Sequence, residues 1–66
     1  MITATYAMHP STPRAEAEAI GRACGLRLVL FADDAVAVFE CDGPEQVVLM
    51  TSELSYGPES VSGSPR

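Results

Sequence analysis

The chain contains no lysine and no tryptophan, and it has one histidine and two cysteines. Each shortage excludes something. Positive charge is confined to Arg14, Arg22, Arg27 and Arg66, so residues 28–65 carry no cation at all. A basic surface for phosphate contacts is therefore missing, and a net charge of −5 opposes direct nucleic-acid binding. Two thiols are too few for an all-cysteine zinc site, and adding His9 gives three candidates at no familiar ligand spacing. In a reducing compartment Cys24 and Cys41 are expected to be free, buried thiols, with a disulfide between them left open. No apolar run approaches the roughly 20 residues of a membrane-spanning helix. Residues 1–6 lack the basic start of a secretory signal. The expectation is a cytoplasmic protein, with no membrane partner.

What is present argues for one packed domain. Of the 66 residues, 47% are hydrophobic and 20% charged, a balance that opposes disorder. A chain this short buries only about 60% of its unfolded surface, so its core has little to spare. With four aromatics (Tyr6, Phe31, Phe39 and Tyr56), that core must rest on valine, leucine and alanine.

The hydrophobic pattern changes period along the chain. Ile2, Ala4, Tyr6 and Met8 alternate with Thr3 and Thr5, which reads as a strand. Thr12-Pro13 has the form of a helix start, hydroxyl at N-cap and proline at N1. That helix should run to Cys24 and stop at Gly25, burying Ala19, Ile20, Ala23 and Cys24, with Arg14, Glu18 and Arg22 spaced along its outer face. Residues 26–32 and 35–41 read as a hairpin about Asp33-Asp34. A two-residue loop would set Leu26, Leu28 and Leu30 against Cys41, Phe39 and Ala37, and would pair Arg27 with Glu40. A second helix begins at Pro44 with Glu45 in its first turn. Its stripe is Val47, Met50, Thr51 and Leu54, with Val48 at the edge, and it ends by Tyr56-Gly57-Pro58.

The order predicts an α+β fold. It is a ferredoxin-like split βαβ plan, β-α-β-β-α, with the last strand short or missing and both helices on one face of an antiparallel sheet. Residues 1–57 form the domain. Residues 58–66, rich in serine, glycine and proline, read as a flexible tail, with a short edge strand at 59–62 as an alternative. In this register Val29, Phe31, Val36 and Val38 share the uncovered sheet face. Such an apolar cluster marks either an interface between two copies or core covered by another element.

No constellation announces catalysis. His9 is alone in a loop, without a spaced serine, cysteine or acid partner. Asp33, Asp34, Asp42 and Glu45 could be imagined around a hard cation, but a two-residue turn does not supply six to eight oxygens. Gly21 and Gly25 belong to a helix and its end, so no phosphate cradle exists. No cofactor is expected. The remaining signal is the acidic half. Asp33 and Asp34 cap one end of the hairpin, Asp42 and Glu45 the other, and Glu53 and Glu59 follow. An acidic ridge of this kind fits a partner that is itself a basic nucleic-acid-binding protein, with steering that fades as salt rises.

Taken as a whole, from Met-Ile-Thr-Ala-Thr-Tyr-Ala-Met through Leu-Arg-Leu-Val-Leu-Phe-Ala-Asp-Asp to Ser-Glu-Leu-Ser-Tyr-Gly, the chain resembles the small acidic anti-CRISPR proteins of phages and mobile elements. It is most similar to those acting on type I-C systems. The likeness spans nearly all 66 residues but rests on no diagnostic motif. It implies a non-enzymatic inhibitor that binds a type I Cas effector, the surveillance complex, in the bacterial cytoplasm and blocks target DNA engagement. A competing likeness, carried by residues 26–31, 34–40 and the following Gly43-Pro44-Glu45, is to ferredoxin-like dimeric α/β-barrel proteins. That likeness implies a homodimeric ligand-binding module with Val29, Phe31, Val36 and Val38 at its interface. The chain departs from that group in its meagre final strand and in lacking a second His or Arg to hold a ligand.

Overall fold

A computed structural model describes residues 1–32 and 35–63. Six elements follow one another: β1 (Ile2–Ala7), α1 (Arg14–Ala23), β2 (Arg27–Phe31), β3 (Val36–Cys41), α2 (Pro44–Leu54) and β4 (Ser60–Gly63). The strands form one sheet in the order β2-β3-β1-β4, with every neighbouring pair antiparallel. This is the α+β, split βαβ arrangement expected, and its last strand is present but short. Beyond residue 57 the edge-strand alternative is the one observed, one residue later than expected, because Ser60–Gly63 pairs with β1 along Thr5 to Ile2. The Glu59 N–H adds a bond to Thr5 O at 2.7 Å that delivers the chain to that edge.

Alternation in β1 sends Ile2, Ala4 and Tyr6, with Met8 beyond the strand, into the core, where Ala37, Phe39 and Cys41 of β3 join them. Tyr6 and Phe39 are completely buried and meet edge to face, with ring centroids 6.0 Å apart and planes at 75°. The Tyr6 hydroxyl donates to the Val47 carbonyl at 3.1 Å and lies 3.2 Å from Thr51 Oγ1, which fastens α2 to the central strand.

Helix α1 departs from expectation at both its start and its buried face. It begins at Arg14, with Pro13 rather than Thr12 at the N-cap and no side-chain cap bond. The Thr12 N–H is instead committed to a tight turn, bonding His9 O at 2.8 Å. The buried positions are Ala17, Gly21 and Cys24, with Ile20 half-buried, whereas Ala19 and Ala23 are exposed. Gly21 decides this rotation. A Cβ there would lie 2.7 Å from Phe39 Cδ2, so only glycine lets the helix settle onto that ring. The C-terminus is as expected. Gly25 has φ +88°, its N–H bonds Arg22 O, and the Leu26 N–H bonds Gly21 O at 2.8 Å, a Schellman closure.

The hairpin carries the main correction. Near its base Arg27 pairs with Glu40 and Leu28 with Phe39, as expected. Toward the tip the pairs are Leu30 with Val38 and Phe31 with Ala37, one residue out of step. The Ala32 N–H bonds Val36 O, so three residues rather than two separate the closing pair, and Ala35 takes a left-handed φ of 66°. The Asp33-Asp34 turn itself lies outside the described residues. A bulge at Val29 absorbs the extra residue and restores the register below it. Because one step exchanges the faces of a strand, Phe31 packs on the core and Leu30 faces outward, the reverse of expectation.

Helix α2 has Gly43 at its N-cap and Pro44 at N1, and it closes with Ser55 in the left-handed region at φ 68°. Among the described residues, no helix is long and apolar enough to cross a membrane. Replacing Gly21 with alanine should destabilise the domain by about 1–3 kcal/mol, the usual cost of overpacking a tight core. Urea denaturation would check this, and a parental midpoint would refute the packing role given to Gly21.

Candidate functional site

Two surfaces gather the residues singled out from the sequence. On the outer sheet face, Leu30, Val36 and Val38 form the apolar patch, with the bulged Val29 beside them. Phe31 does not belong to it. The other half of that face is polar: Thr3 pairs with Ser62 and Thr5 with Ser60. One end is closed by Arg27 and Glu40, 3.2 Å apart, so the face carries a balanced pair rather than a net charge.

The second surface is built on α2 and its approaches. Asp42 immediately follows β3, Glu45 lies in the first turn of α2, Glu53 in its last turn, and Glu59 immediately precedes β4. All four are exposed, and none takes part in an ion pair among the described residues. The ion pairs formed there are Glu18–Arg22 on α1, at 3.5 Å, and Arg27–Glu40 on the sheet. Both lie on elements other than α2. Asp33 and Asp34, also expected to contribute, lie outside the described residues.

These carboxylates do not stand on the same footing. Asp42 and Glu45 sit at the positive end of a helix dipole, where an anion adds about 0.3–1 kcal/mol of stability whatever else it does. Glu53 sits at the opposite end, in a last turn with no basic residue, where the dipole works against it. Helix stability therefore explains the first pair and not Glu53. Between them lie two side chains that sequence reasoning missed. Val48 and Leu49 point away from the core, 66% and 56% exposed, in the middle of the helix. For Leu49 the signal was available, since the buried stripe at Val47, Met50, Thr51 and Leu54 leaves it on the far side, whereas Val48, expected at the stripe's edge, turns outward instead.

The candidates for chemistry are accounted for by structure. His9 is exposed, and its Nδ1 accepts from the Ser11 N–H at 3.1 Å and lies 2.6 Å from Ser11 Oγ, which makes it part of the turn before α1. Among the described residues no group of three or more His, Cys, Asp or Glu could hold a metal ion. Cys24 and Cys41 are both free and buried. Burial pushes each thiol above its ordinary value, assisted at Cys24 by the charge of Glu53. At Cys41 a backbone hydrogen bond from Gly43 works the other way, while the Sγ–H itself donates to Gly43 O at 3.3 Å. Burial likewise raises Tyr6 against the opposing effect of its bond with Thr51.

These three raised values have one consequence for stability. The unfolded thiols lose protons around 9.0 and the unfolded phenol around 10.0, while the native chain still holds them. The unfolded state then binds fewer protons, so stability is complete below pH 9 and falls as pH rises through the native values. Urea midpoints should be level from neutrality to that point and decline beyond it. A midpoint that holds through strongly alkaline pH would refute the assignment. No protein-family model, no curated protein and no solved structure matches this chain.

Proposed function

We infer that the chain is a non-catalytic inhibitor of the anti-CRISPR kind, whose acidic α2 side occupies a basic nucleic-acid channel of a type I Cas effector and blocks DNA engagement. The observation that carries this reading is Glu53. A carboxylate placed against the helix dipole, with no ion pair to it among the described residues, costs the helix stability rather than adding to it. Residues retained at a cost to stability are those expected at working surfaces. Asp42, Glu45 and Glu59 extend the same sign of charge along the helix and toward β4, and clefts lined with Lys and Arg attract such a surface over several ångströms beyond contact.

A second reading, a homodimer stacked sheet to sheet in the manner of α/β-barrel modules, is favoured by the exposure of Leu30 beside Val36 and Val38. The two readings separate in solution. Sedimentation of the free chain as a monomer at the highest attainable concentration would remove the dimer.

For the inhibitor, the purified chain should co-migrate with a type I-C surveillance complex on a sizing column in low salt and dissociate progressively as salt rises. Glu53→Gln is expected to move in opposite directions in two assays. It should raise stability by about 0.3–1 kcal/mol by relieving the dipole conflict, yet slow association with the complex. Glu53→Lys combined with Glu59→Lys should cut the low-salt association rate about tenfold, with the difference vanishing at high salt. Unchanged association in both variants would refute the electrostatic reading.

A further inference from the structure

The exposed stripe of α2 has a composition that neither the fold nor solubility requires. Glu45, Val48, Leu49 and Ser52 follow the i, i+3, i+4, i+7 spacing of one helix face, and all four are exposed. A β-branched residue loses rotamer freedom in a helix, so a solvated valine at position 48 weakens α2 relative to alanine, glutamine or glutamate. Valine on an open sheet is different, because strands favour it in its own right. Val36 and Val38 are therefore explained by the strand they occupy. Val48 and its neighbour Leu49, the one 66% and the other 56% exposed, are not explained by their helix.

The flanks of the stripe narrow what can cover it. Glu45 lies one turn before the apolar pair and Glu53 one turn after, and Pro44–Leu54 contains no cation. An uncharged apolar groove would strip water from both carboxylates without compensation. A basic but flat, polar surface would leave Val48 and Leu49 in water. A second copy of this chain brings net charge −5 to a face that is already acidic. We propose that α2 docks as a helix into an apolar groove rimmed by Arg or Lys on a partner protein, with Val48 and Leu49 in the groove and Glu45 and Glu53 on its rim. This rests on the acidic-inhibitor reading and specifies the contact within it. The apolar centre supplies the part of affinity that survives salt, and the rim carboxylates supply steering.

The test uses the full chain, isotopically labelled, and two synthetic helical peptides of equal positive charge. One presents a leucine stripe flanked by arginines, and the other has serine in place of each leucine. Amide shifts with the leucine peptide should gather at Glu45, Val48, Leu49, Ser52 and Glu53. That peptide should bind at least about tenfold more tightly than its serine counterpart, a modest return for burying two aliphatic side chains. V48A/L49A keeps good helix formers on α2, so it should retain the parental spectrum elsewhere and a thermal midpoint no lower than the parent's, while losing the preference for leucine. Equal binding of both peptides, shifts centred on Leu30 and Val38, or an unchanged preference in V48A/L49A would each overturn the proposal. If these results hold but the surveillance complex fails to co-migrate, the anti-CRISPR reading falls and the docking face stands.

Discussion

The edge-to-face contact of Tyr6 with Phe39 is the one on which the rest of the domain depends. The two rings occupy adjacent central strands, and each anchors a helix: Phe39 receives α1 at Gly21, and Tyr6 reaches α2 through its hydroxyl. In a chain with four aromatics, two of them make the only completely buried ring pair among the described residues. A domain of this size has no second cluster to fall back on. The remaining core, from Ala4 and Ala37 to Met50 and Cys41, is built of small or flexible side chains packed around those rings.

Fixing the helices in this way separates two surfaces of opposite character. The helix side carries α2 with its carboxylates, which form no ion pair among the described residues, and its exposed apolar pair. The open sheet face carries valines suited to strands, threonine and serine, and one balanced ion pair. Each surface holds residues explained by local structure and residues that are not. On the sheet, β-propensity accounts for most of the apolar exposure. On α2, helix propensity and dipole both run against the residues present, Val48 and Glu53. Conflict with local stability distinguishes the two better than charge or hydrophobicity alone.

The bulge at Val29 shows how a single extra loop residue propagates. A three-residue connection moves the upper hairpin by one position, and that step exchanges Phe31 for Leu30 at the core. Without the bulge the base of the hairpin would also shift, and Arg27 would no longer face Glu40. The ion pair is exposed and contributes little to stability. Its value is as a marker that the lower register agrees with the alternation pattern while the upper register does not.

Element order, the alternation of β1, the Gly25 closure, Pro44 at the start of α2 and the Arg27–Glu40 pairing were all legible in the sequence. Each depends on local backbone chemistry or on a period set within a few residues. The rotation of α1 was not legible, because Gly21 is an indifferent residue until Phe39 is placed beneath it. Nor was the outward turn of Leu30, since loop length and bulge are settled by which side chain the core accepts. The fourth strand is four residues without an apolar period, and it exists because β1 offers it an edge. The acidity of the chain was visible from the start, but only tertiary packing, by choosing which face of α2 to bury, left Val48 and Leu49 exposed between Glu45 and Glu53.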